Sequence, residues 1–237
     1  GAAFVRFHVK SGETYTKYAA RSDCAGATCT YDEELQNFAN WYSFYRTRML
    51  MMKTGTSRAF ASLDDNYRVG YSSISYTGMD DGTDASPNEF LNVRLYDTAQ
   101  KSRWYTRLFA ANPSSYTPLR AALSKAGSYY AGTLKTGGID PITHSCQQNF
   151  TILSTDGYWN TNEESATYGP FKPDGTAVGD QDDPATVTAP SRDVLAKAST
   201  LADVAYYYYH TDLRTSGAMA ENNVPLAGTN NNTDDVV

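Results

Sequence analysis

The chain has 237 residues, a formal net charge of −6 and a hydrophobic content of 41%, which predicts one large domain, or one domain with long insertions, around a buried core. It contains no run of Lys and Arg and no basic patch interleaved with aromatic residues, which argues against nucleic acid as a partner. No apolar stretch reaches the length of a membrane-spanning helix.

Residues 1–29 combine a predicted strand, Phe4 to Val9, with a polar loop that carries two of the three cysteines. Cys24 and Cys29 bracket four residues, so a local disulfide is sterically plausible. Three routes are open to Cys146: pairing with one of these two, pairing outside the chain, or staying reduced and buried. The chain starts without Met and is rich in tyrosine, with 19 residues. We therefore expect a mature or excised piece of an exported protein, in whose oxidising environment Cys24 and Cys29 pair.

A long helix is predicted to follow this segment. Thr30 and Glu33 fit a capping box, in which each side chain bonds the other residue's backbone N–H. Apolar residues then recur every three or four positions, which predicts a helix that faces the core. A kink is expected at Lys53-Thr-Gly-Thr56. The stripe consists of Leu35, Phe38, Tyr42, Tyr45, Met49, Met52, Ala59, Phe60 and Leu63.

Strands and helices alternate along the rest of the chain, which is the pattern of an α/β fold. Residues 160–197 form a predicted long loop, and residues 222–237 a polar tail. The acidic residues of the long loop lack the spacing of a calcium loop and are expected to be solvated; they are Asp174, Asp180, Asp182 and Asp183. The predicted elements are strands at 68–76 and 93–96, helices from Asp97 to about Ala111 and after Thr117, a buried strand at 150–153 and a helix at 200–214.

The most informative stretch is the apolar run Phe150 to Leu153, which ends in Ser154-Thr-Asp-Gly157. Ligands of open α/β sheets bind beyond the carboxyl ends of the strands, so Asp156 is a candidate metal ligand. Thr117 precedes Pro118 at a predicted helix start, with Thr117 as the N-cap and its face marked by Leu119, Ala122, Leu123 and Ala126. A hydroxyl and a carboxylate suit Mg²⁺, Mn²⁺ or Ca²⁺. Each residue also has an ordinary structural explanation: Thr117 as a helix cap, and Asp156 as a turn stabiliser.

Five blocks of sequence resemble segments of the type IV pilus tip adhesins and biogenesis factors of the PilC/PilY kind. They occur in the same order as in that family and span roughly residues 30–215. In addition, a Thr-Pro-Leu before a helix and a strand ending in Asp-Gly resemble the second and third metal loops of a von Willebrand factor A domain. The blocks are residues 37–49, Thr117–Leu123, Ser145–Gln148, Ile152–Asn160 and 200–208.

The resemblance implies a von Willebrand A-like (Rossmann-type) sheet, flanked by helices and interrupted by long loop insertions, over residues 30–215. Residues 1–29 would then belong to an N-terminal insertion and residues 216–237 to a loop or tail. The resemblance also implies a metal-ion-dependent adhesion site, to which Thr117 would give a hydroxyl oxygen and Asp156 a carboxylate. Mg²⁺ or Ca²⁺ would be its cofactor.

One part of the family pattern is missing. A complete adhesion site also needs an Asp-x-Ser-x-Ser loop after the first strand, and the nearest sequence, Asp84-Ala-Ser-Pro-Asn88, follows the wrong strand. Two readings remain open. Either the chain begins inside an insertion and lacks the first strand with its metal loop, or the site is degenerate and binds no metal.

Two functions follow from these observations. The first is a pilus-tip adhesion and type IV pilus assembly module on the bacterial surface, extracellular or at the outer membrane. Its partners would be minor pilins or the pilus tip, and a host or abiotic surface ligand. The alternative is a degenerate, metal-free structural domain that presents the rest of a surface protein. The chain has no nucleophile elbow and no phosphate-binding glycine loop, so we expect no enzymatic activity.

Overall fold

The computed structural model describes residues 7–113, 116–134, 139–160, 164, 166–182, 197–221 and 224. The chain divides into two compact units, Gly1–Ser62 and Leu63–Val237. The described residues form two antiparallel sheets of two strands each and five α-helices, which confirms a mixed α and β fold. None of these helices is long and apolar enough to cross a bilayer.

The first unit begins with a short hairpin that a disulfide closes. Strand β1 (Thr14–Thr16) pairs with strand β2 (Thr28–Thr30). Cys24 and Cys29 are joined, with their Cα atoms 5.2 Å apart, so the predicted pairing is confirmed. Cys146 forms no disulfide within the chain and is exposed. The predicted strand before them is not formed over residues 7–9, and its first residues lie outside the described part of the chain.

Helix α1 (Tyr31–Phe44) starts at the predicted capping box. The Glu33 N–H donates to Thr30 Oγ1 over 3.3 Å, and the Thr30 N–H donates to Glu33 Oε2 over 2.8 Å. The predicted position of the kink is wrong. Helix α1 ends at Phe44, and helix α2 (Arg48–Ala59) continues without interruption past Gly55. Thr47 sets the break, because its hydroxyl accepts the Leu50 N–H and so starts a new helix.

The prediction that the first helix faces a core is also wrong. Neither α1 nor α2 contains a buried residue, and the Phe38 and Trp41 rings are 59% and 51% exposed. These rings contact each other instead, with centroids 5.8 Å apart. The only sheet described in this unit has three residues in each strand, which is too little surface to cover an aromatic helix face.

The second unit is built on a bulged hairpin. Strand β3 (Arg68–Ser72) pairs with strand β4 (Phe90–Leu95), and the register shifts between Val69 and Tyr71. Gly70 lies at this shift, where a Cβ would be 2.8 Å from the Leu91 carbonyl oxygen. Helix α3 (Thr98–Ala110) follows, capped by Asp97. Both strands and this helix lie close to their predicted positions.

Two further helices complete the second unit. Helix α4 (Leu119–Tyr130) and helix α5 (Leu201–His210) contact each other, and a short 3₁₀ helix follows at Gly217–Met219. Tyr129 of α4 packs edge-on against Phe90 at 5.5 Å between centroids. Together with Val93 these residues form a small buried cluster, so the core lies between the hairpin and α4.

The predicted buried strand at 150–153 is not formed. These residues have no regular secondary structure, and the Phe150 and Ile152 side chains are 77% and 78% exposed. A strand interior requires backbone partners on its flanks, and no strand in the described part of the chain pairs with this run. The apolar sequence therefore lies at the surface.

Gly127 of α4 lies directly against the Tyr208 ring of α5, and this contact gives a stability prediction. A Cβ at this position would lie 2.1 Å from Cδ1 of the Tyr208 ring, whose hydroxyl is held by the Phe171 carbonyl at 2.7 Å. We expect Gly127→Ala to lower the free energy of unfolding by about 1–3 kcal/mol through overpacking. The measurement is urea denaturation followed by circular dichroism.

Gly55→Ala is the matched control. Gly55 is also inside a helix, but a Cβ there meets nothing within 4 Å. The same substitution should therefore stabilise its helix, by up to about 1 kcal/mol. Equal effects of the two substitutions would contradict the close contact at Gly127.

Candidate functional site

The loop that carries Asp156 ends against the start of α4. The Thr117 N–H donates to Asn160 Oδ1 over 3.0 Å, and the Asn160 N–H donates to the Thr117 carbonyl oxygen over 3.1 Å. Thr117 is half-buried and Asp156 is exposed. The structure thus joins the loop to the predicted metal-binding threonine. That the Thr117 hydroxyl and the Asp156 carboxylate converge on one ion stays a prediction.

The expected capping role of Thr117 is wrong, because the N-cap of α4 is Pro118, which makes no side-chain cap. Glu164 takes over this role from a distant part of the chain. Its Oε2 accepts the Ala121 N–H over 2.8 Å, and its Oε1 pairs with Arg120 Nε at 3.0 Å. A carboxylate at a helix N-terminus also interacts favourably with the helix dipole.

Arg120 connects this helix start to two other segments. Its guanidinium lies 5.3 Å from the centroid of the Trp159 ring, and its Nη1 donates to the Ser199 carbonyl over 2.8 Å. Trp159 belongs to the same loop as Asp156. Thr117 and the Asp156 loop therefore meet at the N-terminus of α4, next to Arg120 and Trp159.

Asp84, the nearest match to the missing metal loop, already has a cationic partner. Arg103 Nε lies 2.8 Å from Asp84 Oδ1, and the Arg103 guanidinium lowers the pKa of this carboxyl. Arg94, Arg103 and Arg107 line the same small cavity as Asp84. The arginines therefore neutralise the negative charge of Asp84, and a neutralised site does not attract a metal cation.

A group of three carboxylates that sequence reasoning missed lies elsewhere in the second unit. Asp180, Asp182 and Asp203 each offer one oxygen, and these oxygens lie within 4.8 Å of one another. Asp182 is 1% exposed, so the expectation of a solvated loop is wrong there, whereas Asp174 is exposed as expected. Asp183 lies outside the described residues.

Asp203 is held in this group by hydrogen bonds to one local and one distant part of the chain. It forms a capping box with Thr200 at the start of α5, and its Oδ1 accepts the Gln181 N–H over 2.6 Å. The Thr-x-x-Asp spacing was a readable signal for the cap. The contact between Asp203 and a loop about twenty residues earlier depends on tertiary packing, which the spacing alone does not reveal.

Lys125 is the second unpredicted feature. The predicted face of α4 is rotated from the observed one, because Ala122, Leu123 and Ala126 are only half-buried while Lys125 is 3% exposed. Lys125 Nζ donates to Ser72 Oγ over 2.8 Å and to the Tyr76 carbonyl. Burial lowers the pKa of this ammonium to about 8, although the charge of Glu89 acts in the opposite direction.

The comparisons with known proteins point to one kind of protein. The chain is 36% identical over 202 residues to the type IV pilus biogenesis factor PilY1 of Pseudomonas aeruginosa strain PAO1, and 33% identical over 193 residues to that of strain PAK. This chain is homologous to one segment of the PilY1 proteins. The matches cover 77% and 76% of the chain but only 16% of each PilY1 relative, so the chain spans about one sixth of their length.

Two other comparisons found nothing. No family model matches the chain, and no solved structure is significantly similar to it. The relatives that do match are named as type IV pilus biogenesis factors. The von Willebrand A arrangement gains no support from the other two comparisons.

The buried lysine predicts a pH-dependent stability. Its folded-state pKa of about 8 lies below the ordinary 10.5, so the unfolded state binds more protons between these values and the free energy of unfolding rises with pH in this window. Below pH 8 the full cost of burying the charge is present. The whole effect amounts to about 3 kcal/mol. The measurement is urea denaturation between pH 7 and 9.5. The free energy of unfolding of the unmodified chain should rise with pH, and that of Lys125→Met should not.

Lys172→Met is the control, since it removes a half-buried lysine that lies over the Tyr207 ring. Its free energy of unfolding should still rise with pH. The raised pKa values of Tyr129 and Tyr208, about 12, lower the stability only above pH 10 and so fall outside the measured window. The same slope in Lys125→Met as in the unmodified chain would contradict the burial of the charged ammonium.

Proposed function

We propose that this chain is part of a type IV pilus assembly and adhesion protein that acts at the pilus tip on the bacterial surface. The observation that carries this proposal is the similarity to PilY1, at 36% identity over 77% of the chain. Minor pilins or the pilus tip would be its assembly partners. A host or abiotic surface would be its ligand. The protein would be extracellular or attached at the outer membrane, and the chain would have no enzymatic role.

The proposed adhesion site lies at the start of α4. Thr117 would supply a hydroxyl oxygen and Asp156 a carboxylate to Mg²⁺ or Ca²⁺. The two hydrogen bonds between Thr117 and Asn160 support this, because they hold the Asp156 loop at the helix start. The exposed run at 150–153 supports the companion proposal that a first strand, with an Asp-x-Ser-x-Ser loop at its end, pairs beside it and completes a von Willebrand A-like sheet.

A metal-free structural domain is the second candidate. The specific observation in its favour is that Glu164 already occupies the helix N-terminus and neutralises Arg120, so this end of α4 is satisfied without an ion. Thr117 and Asp156 together bring one carboxylate, which recovers little of the hydration that a divalent cation loses.

The pilus role is tested by deleting residues 30–215 from the protein in its own host. We expect the amount of pilin sheared from the cell surface to fall, because assembly needs the intact factor. Asp156→Ala in the full-length protein separates the two parts of the proposal: it should leave surface pilin unchanged and lower attachment to surfaces. Normal surface pilin after the deletion would contradict the assembly role.

Calorimetry tests the metal. The 237-residue chain should bind Mg²⁺ or Ca²⁺ weakly or not at all, because Mg²⁺ needs about six oxygen ligands and Ca²⁺ six to eight. A longer version that includes the upstream Asp-x-Ser-x-Ser loop should bind, and Asp156→Ala should abolish that binding. Asp174→Ala, at an exposed carboxylate that bonds only locally to Thr176, is the control.

Tight binding by the 237-residue chain that survives Asp156→Ala would contradict the proposed site. Asp182→Asn then locates the ion, because loss of binding in that variant would assign the ion to the carboxylates of Asp180, Asp182 and Asp203. Absence of binding by the longer version would favour the metal-free structural domain.

A further inference from the structure

A cavity of about 140 Å³ opens beside Lys125 in the second unit. Helix α4 forms one wall of it with Pro118, Ala121 and Ala122, and the loop after β3 forms another. A cavity needs only about 10–15 Å³ to hold one water molecule. This one therefore has room for a group of several heavy atoms.

The charge at this cavity is not balanced by an ion pair. Lys125 is 3% exposed, and no carboxylate in the described part of the chain forms a salt bridge with it. An ammonium has three N–H donors, and the described acceptors for Lys125 are the Ser72 hydroxyl and the Tyr76 carbonyl. Buried charges are normally paired because their desolvation is costly. The charge of Glu89 acts on this ammonium without forming a salt bridge with it, and an anion in the cavity would lower the cost that remains.

The walls of the cavity indicate which kind of anion fits. Alanine, proline and isoleucine side chains suit an aliphatic stem, and the hydroxyls of Tyr76 and Tyr116, which also line the space, can donate to an oxygen. The third lining tyrosine, Tyr168, already donates its hydroxyl to the Thr77 carbonyl over 2.8 Å. A phosphate prefers several donors or the forked guanidinium of arginine, and the described residues that line the cavity include a single cation and no arginine. A planar carboxylate on a short stem matches one ammonium and this volume.

We propose that the cavity binds a carboxylate on a short aliphatic stem, presented as an acidic side chain by a partner protein, with Lys125 as its counter-charge. This site needs no metal ion, so it is independent of the adhesion site proposed for Thr117 and Asp156. Pro118 lines the cavity next in sequence to Thr117, so a ligand held here would sit beside the start of α4.

The test is a titration of the isotope-labelled 237-residue chain with propionate, followed by amide chemical shifts of residues 74–77 and 121–125. We expect saturable shifts with propionate, none with propionamide, and no change when EDTA is added. Lys125→Met should weaken binding by about tenfold or more, the equivalent of one charge-assisted hydrogen bond. Lys172→Met, which removes a lysine outside the cavity lining, should bind like the unmodified chain.

Ala122→Leu keeps the charge but fills the cavity from α4, and it should also abolish the shifts, which covers the case that Lys125→Met does not fold. N-acetyl-glutamate N-methylamide should bind at least as tightly as propionate, and its glutamine counterpart should not bind. Equal responses to propionate and propionamide, or to propionate in Lys125→Met, would overturn the proposal. Binding of propionate without binding of the capped glutamate would overturn the assignment to a partner's side chain.

Discussion

The second unit depends on how side chains satisfy the backbone of β4 at its bulge. The shift in register between Val69 and Tyr71 interrupts the ladder with β3. Three backbone groups of β4 near this shift bond to side chains instead: the Asn92 N–H donates to Asp81 Oδ1 at 2.6 Å, the Asn92 carbonyl accepts Gln100 Nε2 at 2.8 Å, and the Val93 N–H donates to the Tyr129 hydroxyl at 3.0 Å. Buried backbone groups left without partners would each cost about 1–3 kcal/mol.

These hydrogen bonds also fix the helices that carry the candidate sites. Gln100 and Arg107 tie α3 to the strands, because Arg107 Nε donates to the Phe90 carbonyl at 2.8 Å. Tyr129 ties α4 to the same strand. With the C-terminal end of α4 anchored in this way, Lys125 faces Ser72 one turn earlier, and Glu164 reaches the first turn of the helix. A polar network inside the hairpin therefore determines where the charged groups of α4 point.

Local signals in the sequence were sufficient for the local features. The capping box at Thr30 and Glu33, the strands around Arg68 and Val93, and the disulfide between Cys24 and Cys29 depend on residues near each other in the chain. Most of the misses depend on partners distant in sequence; the helix break at Thr47 is the exception, because it is set by a local cap. The apolar pattern of α1 does not reveal that nothing described covers it. The apolar period of α4 does not reveal that Ser72 and Tyr76 accept hydrogen bonds from Lys125.

The candidate sites show the same difference between residues in local sequence patterns and residues whose partners are distant in the chain. Thr117 and Asp156 could be selected because each stands in a recognisable short pattern. The group around Asp203 could not, since it joins a loop to a helix start about twenty residues later. Glu164 gave no signal at all: an acidic residue in a polar loop is ordinary, and its importance comes from the Ala121 N–H and Arg120 that it meets in the folded chain.

The run at 150–153 shows why one chain can carry a strong strand signal without forming the strand. Its composition is that of a strand buried on both faces, which is typical of parallel sheets, yet Phe150 and Ile152 are mostly exposed. Burying each of these side chains would contribute about 1.5–3 kcal/mol, and a partner strand would also satisfy the backbone. The proposed first strand would supply both contributions at once. Its end would also bring further oxygen ligands to the Asp156 loop, so on this proposal completion of the sheet and completion of the metal site are one event.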